Sequence, residues 1–169
     1  MDVNLVITYD PVHADAAIEE VEAVFDQIGA KPKFFDSEYG GNFFLHVSNP
    51  RKSIRELKKR AAGGQDIFSW THHYIPIDHW VDSEIEDMQK AVKSLASGIG
   101  DGQKWKLELD KRHYHRFHER ELVIKLTDMV ENGEVDLEKP EKIIKVEIIG
   151  KHAGISLLDP QDVLVVSQI

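Results

Sequence analysis

Lys104-Trp-Lys-Leu-Glu-Leu-Asp-Lys-Arg-His-Tyr-His-Arg-Phe-His-Glu-Arg-Glu-Leu-Val-Ile-Lys125 changes period part-way along, and that change sets the fold of the second half of the chain. Trp105, Leu107 and Leu109 alternate with Lys104, Lys106 and Glu108, the period of two that a half-buried strand requires. Phe117, Leu122, Leu126, Met129 and Val130 then support a helix that stops near Gly133. Asp110 to Arg116 reads as the loop between them, so the stretch predicts a strand, a loop and a helix beginning near Phe117. It holds seven Lys or Arg against four Asp or Glu, 7 − 4 = +3, in a chain of net charge −9. Cations bind phosphates, and rings and guanidinium planes stack on exposed bases, so a local basic segment with two aromatics and three histidines points to a polyanion. The free N–H groups at the helix start add to this. An ordinary solvated loop is the competing reading.

Outward from this stretch, Asp136 to Pro140 reads as a turn, and Ile144, Val146 and Ile148 alternate with Lys145 and Glu147. Ala153–Leu158 and Val163–Val166 read as two more strands. On the N-terminal side, Ser83 and Glu86 have capping-box spacing before a helical face of Ile85, Met88, Val92 and Leu95, and Pro76 to Trp80 reads as a linker. Earlier still, Val3 to Tyr9 is a β-branched run, and Ile18, Val21, Phe25 and Ile28 mark a helix before Gly29. Lys31–Glu38 and Asn42–Val47 form a hairpin pattern through Tyr39-Gly-Gly41. Asn49-Pro50 starts a second helix, and Ile67 to Ile75 reads as a strand. Strand, helix, strand, strand, helix, strand is the βαββαβ order of a ferredoxin-like sandwich. The expected class is mixed α/β (α+β), with an N-terminal domain over residues 1–79 and a second module over 80–169.

With 21 basic and 30 acidic residues among 169, a uniformly basic nucleic-acid coat is excluded and any such site must be local. Residues 1–100 carry 10 − 16 = −6 and residues 101–169 carry 11 − 14 = −3, which favours the second half. The absence of cysteine removes disulfides, thiol nucleophiles and Cys-based zinc sites. No secretory or membrane-spanning run opens the chain, so a soluble cytoplasmic protein is expected. No phosphate-binding glycine loop or nucleophile elbow occurs, and no catalytic residue, cofactor or metal is assigned. Two competing readings remain open. His113, His115 and His118 could serve a metal-dependent enzyme, although Arg112 and Arg116 beside them repel a cation. Trp70, Tyr74 and Trp80 could dock a protein partner, or belong to the core.

Residues from about 80 to 169 resemble the THUMP domain, an RNA-binding module of tRNA-modifying enzymes. Carrying the resemblance are Trp105-Lys-Leu-Glu-Leu109 running into Asp110-Lys-Arg112, and Glu121-Leu122-Val-Ile124. Beyond these come Val135-Asp-Leu-Glu-Lys-Pro140, Ile144-Lys-Val-Glu-Ile148 and Ala153-Gly-Ile-Ser-Leu157. The resemblance implies a grip on the tRNA acceptor stem region. Since Ile169 ends the sequence, it also implies a stand-alone THUMP adaptor, the non-catalytic tRNA-binding partner of an acetyltransferase that makes N4-acetylcytidine. Lys111 and Arg112 correspond to the family's basic pair, preceded by Lys104 and Lys106. His113, His115, Arg116 and Arg120 extend that surface. The acidic net charge departs from the pattern expected of a tight RNA binder.

Overall fold

Apolar alternation and helical stripes give, in the first half, β1 (Leu5–Tyr9), α1 (Ala14–Gln27), β2 (Lys33–Phe35), β3 (Asn42–His46), α2 (Pro50–Ala62) and β4 (Thr71–Pro76). The second half holds β5 (His79–Asp82), α3 (Ile85–Ala96), β6 (Lys104–Arg112), α4 (Glu119–Thr127), β7 (Glu134–Val135), β8 (Lys142–Ile149), β9 (His152–Leu158) and β10 (Leu164–Val165). The structure is a computed structural model that describes residues 2–64 and 66–169. It divides into two units, one running up to Pro76 and joined by Gln161–Ile169, the other spanning Ile77–Pro160.

In the first unit the sheet order is β10-β4-β1-β3-β2, antiparallel throughout. The four inner members in the order β4-β1-β3-β2, with α1 and α2, make the expected ferredoxin-like βαββαβ arrangement. Leu5, Ile7 and Leu45 from the strands meet Val21 and Phe25 of α1 and Ile54 and Leu57 of α2 in one buried cluster. The Asn49 side chain accepts from the Lys52 N–H at 3.1 Å and Pro50 stands at the first helical position, so α2 starts where the sequence places it. Beyond α1, Gly29 takes the left-handed conformation, φ 69°.

Two expectations fail in this unit. β4 begins at Thr71 rather than near Ile67, because the Glu20 carboxylate takes the N–H groups of Ser69, Trp70 and Thr71 that a strand would offer to its neighbour. Residues 163–166 were expected in the second module. Leu164 and Val165 instead pair with Tyr74 and His73 of β4, and Leu164 is fully buried in the first unit's core.

The second unit's sheet runs β5-β9-β8-β6-β7. β6 lies parallel to both β7 and β8, and the chain from β6 to β8 crosses over through α4, as a parallel pair demands. Met88 and Val92 of α3, with Leu122 and Leu126 of α4, cover the face formed by Trp105, Leu109, Ile144, Val146 and Ile155. Residues 79 and 80, expected in the linker, belong to β5, which pairs with β9. No capping box forms at Ser83. Its hydroxyl donates to the Gly150 carbonyl at 2.8 Å, and α3 begins at Ile85 after Glu84, whose side chain makes no cap bond. Gly133, φ 74°, fits so tightly that a Cβ there would lie 2.5 Å from the Gln103 carbonyl oxygen. Among the described residues, no helix is long and apolar enough to cross a membrane.

Candidate functional site

The strand at the centre of the site is longer than its apolar alternation announces. β6 continues through Asp110, Lys111 and Arg112 because these pair in register with Glu147, Ile148 and Ile149 of β8. Strand alternation then sends Lys111 and Arg112 to opposite faces, so the expected basic pair is split. Lys111 Nζ donates to the Tyr114 carbonyl at 3.2 Å and closes the loop that follows. Arg112 donates to Glu147 at 3.3 Å.

Around Arg112 lies a network of charge on the sheet face away from α3 and α4. Lys145, 5% exposed, sits 2.9 Å from Asp110, 3.3 Å from Glu147 and 3.7 Å from Glu108. Burial pushes the Glu147 carboxyl up to about 7, against the pull of Lys145 and Arg112, with Asp110 pushing it further up. Burial also works against the Lys145 ammonium, but Glu147, Asp110 and Glu108 outweigh it and hold its pKa above the usual lysine value. Asp110 is lowered: its own burial is overcome by Lys145 and Arg112.

Past Arg112 the chain turns sharply at His113, whose φ of 55° is unusual for a residue with a side chain. Tyr114 is buried, while His113, His115, Arg116 and His118 are exposed. Burial raises the Tyr114 phenol, with Arg116 opposing. Arg116 reaches Glu84 at the entrance to α3 in an exposed ion pair. α4 starts at Glu119, two residues later than expected, and its first turn carries Glu119 and Glu121 as well as the exposed Arg120. These acids take up much of the favourable helix-end potential that a phosphate would otherwise find. Farther along the helix, Lys125 lies 5.4 Å over the Phe117 ring.

Lys104 and Lys106 are not gathered with this junction. At about 3.3 Å per residue, Lys104 stands roughly 26 Å from Arg112 along the strand. It pairs with Asp136 at 3.4 Å, and Lys106 pairs with Glu108 at 2.7 Å. The structure adds two residues that sequence reading passed over, Lys151 and His152, both exposed. The Gly150 N–H donates to the Arg112 carbonyl at 2.9 Å, which ties the β8–β9 turn to the strand exit. A glycine and a lysine between two alternating runs were the available signal.

The histidines of the metal reading do not converge, and of the three aromatic residues in the docking reading Trp70 is the exposed one. Among the described residues no three His, Asp or Glu side chains come together as a ligand set. Tyr74 is fully buried in the first unit, with its hydroxyl 2.9 Å from Thr71 Oγ1, and Trp70 stacks on His13 at 4.3 Å. Trp80 packs over Gly154 in the second unit.

The junction and the strands that hold it fall inside a match to a known family. Residues 82–158 match the THUMP domain. The THUMP segment thus takes in α3, β6, α4, β7, β8 and β9. No curated protein sequence matches the chain. Among solved structures, PH1313 from Pyrococcus horikoshii Ot3 superposes with a TM-score of 0.62 at 13% identity, over 93% of this chain and 55% of that one. TrmN from Thermus thermophilus gives 0.58 at 17% identity, over 93% and 46%. A 4-thiouridine synthetase solved as an RNA complex with bound ATP gives 0.57 at 14% identity, over 96% and 42%. At these identities the likeness is one of fold, and it reaches beyond the THUMP segment to nearly the whole chain. The chain spans about half the length of these structures.

Proposed function

We propose that this chain is a cytoplasmic tRNA-binding adaptor that grips the acceptor stem region and presents tRNA to a separate modification enzyme, without catalysing the modification itself. The observation that carries the reading is the THUMP match over the elements that hold the exposed arginines and histidines past the end of β6. A fold neighbour solved as an RNA complex supports it. His113, His115, Arg116 and Arg120 form the contact surface, joined by Lys151 and by Lys111 at the loop. Arg112, Lys104 and Lys106 act mainly through their carboxylate partners. The enzyme served is the acetyltransferase that makes N4-acetylcytidine.

Replacing His115 and Arg120 together by Glu removes one permanent cation and adds two carboxylates on exposed positions. In a tRNA titration the double variant is expected to bind at least about tenfold more weakly, with the salt slope reduced by about one. An unchanged affinity overturns the assignment of the surface. For the enzyme served, nucleoside mass spectrometry of tRNA from cells lacking the protein is expected to show loss of N4-acetylcytidine. A normal level rules that enzyme out.

A further inference from the structure

Trp70 is an exposed ring that the fold holds still. Its N–H donates to Glu20 Oε1 at 3.0 Å, its carbonyl accepts from the Asp10 N–H at 3.3 Å, and the ring stacks on His13 at 4.3 Å. His13 is itself 3.0 Å from the Asp10 carboxylate. Pro11, which opens the turn to His13, lies against the β2–β3 hairpin, since a Cβ on Gly41 would come 3.3 Å from its ring. Between Pro11 and His13 stands Val12, 85% exposed, and Trp70 is 37% exposed. Among the described residues, these two and Ile169 are the first unit's exposed large apolar side chains. Two of the three thus meet at His13, which is the sequence neighbour of one and the stacking partner of the other. At that exposure Val12 adds almost nothing to the core, and a rigid, exposed indole is the kind of group that anchors interfaces.

The helix that carries Glu20 sets the charge around this patch. α1 holds five acids and no Lys or Arg. Glu20 is spent on the backbone of residues 69–71. The other four, Asp15, Glu19, Glu22 and Asp26, are exposed and, at about 100° per residue, form one row about 16 Å long. Among the described residues, none of the four has an ion-pair partner. Exposed Ala23 and half-buried Ala16 lie between the row and Glu20, so the apolar patch and the row border one open strip. Successive members of the row are like charges three or four residues apart, and Asp26 stands in the last turn, where an anion is disfavoured and no cation accompanies it. The helix would be more stable without this row, so its charges serve something other than folding.

We propose that Val12, Trp70 and the acidic row of α1 form the surface on which this adaptor holds its modification enzyme, through a segment of that enzyme presenting an apolar side chain flanked by Lys and Arg. An enzyme that works on tRNA carries basic surface for the phosphates, and a row of carboxylates that repels RNA is complementary to it. Trp70 is already ordered, so little conformational freedom is lost when it is covered. A second copy of this chain fits less well. Its basic helix is α2, with six Lys or Arg, but Arg51 and Arg55 lie against the buried Asp162, and no large apolar side chain is exposed on α2 to meet Trp70. An α1-to-α2 contact is also head-to-tail, which repeats without limit unless its rotation closes a ring. The inference rests on the adaptor reading above and concerns residues outside its RNA surface.

The test titrates the full chain against the purified acetyltransferase that makes N4-acetylcytidine, without RNA and over a range of salt, and separately against tRNA. Three double variants are compared with the parent: Val12→Ser with Trp70→Ala, Glu19→Gln with Glu22→Gln, and Glu131→Gln with Glu138→Gln, exposed acids of the second unit, as the charge-matched control. The apolar variant is expected to bind the enzyme at least about tenfold more weakly with tRNA affinity unchanged. The acidic variant is expected to associate about three- to tenfold more slowly at low salt and to lose that difference at high salt, and the control to match the parent. Parent-like enzyme binding by the apolar or the acidic variant overturns the proposal and leaves the adaptor reading standing. A parent that does not bind the enzyme overturns it together with that reading. If the apolar variant loses tRNA affinity as well, the acidic variant decides: slower association with the enzyme upholds the proposal, and parent-like association overturns it. A parent that sediments as a dimer, with the apolar variant a monomer, overturns it in favour of a second copy.

Discussion

The guanidinium of Arg112 lies 3.3 Å from the carboxylate of Glu147, a residue with no exposed surface. Arg112, expected from sequence as an RNA ligand, is thus half-exposed and held by a buried carboxylate of the sheet. Arg112→Glu leaves Glu147 without this partner and adds another carboxylate beside Asp110. Lys145 remains 3.3 Å from Glu147, so the expected cost is about 1.5–3 kcal/mol of stability, read as a fall in the urea midpoint. Lys111→Glu, by contrast, breaks one hydrogen bond to a loop carbonyl and is expected to cost about 1 kcal/mol.

The same network makes stability depend on pH. Glu147 takes up a proton near 7 in the folded chain, against an ordinary value of 4.5. Between those values the folded state holds more protons than the unfolded one, so this group's contribution falls as pH rises. Across the whole window the loss amounts to about 3 kcal/mol. Comparing urea unfolding of the parent and Glu147→Gln at several pH values isolates it: the difference between the two is expected to change between about pH 5 and 7 and to be flat above about 8.

Glu20 offers a cleaner structural test, because one carboxylate serves three successive backbone N–H groups and the Thr71 hydroxyl, the last at 2.6 Å. Glu20→Ala strands those donors at the entrance to β4 and is expected to cost about 2–3 kcal/mol. Amide exchange at Ser69, Trp70 and Thr71 is expected to quicken more than exchange in β1.

Gly133 and Gly29 separate two costs that glycines usually confound. Both have positive φ, 74° and 69°, but a Cβ at Gly29 meets nothing within 4 Å, whereas at Gly133 it meets the Gln103 carbonyl, Ile99 and Trp105. Gly29→Ala is expected to lose about 1 kcal/mol from backbone strain alone. Gly133→Ala is expected to lose about 3 kcal/mol or more, with a shift in Trp105 fluorescence.

The ferredoxin-like order was legible because each element of the first half carries its own punctuation, such as Asn49-Pro50 before α2 and Gly29 after α1. Less of the site was. The split of Lys111 from Arg112 depends on how far β6 runs, and that is set by its register with β8 rather than by local alternation. The carboxylates that engage Arg112 and Arg116 lie 35 and 32 residues away in sequence, so a charge count over one segment could not include them. β10 is two residues long, and nothing in Leu164-Val165 names β4 as its partner.

That short strand also bears on the order of folding. All of Ile77–Pro160 lies in sequence between β4 and the segment that pairs with its edge. As the chain leaves the ribosome, β4 has an open edge and the first unit lacks Leu164 from its core and Asp162 beside Arg55. The first unit therefore closes only after the whole of Ile77–Pro160 has been made, through contacts of long sequence separation, the kind that form slowly. Until Asp162 emerges, the basic helix of the first unit stands without its buried anion.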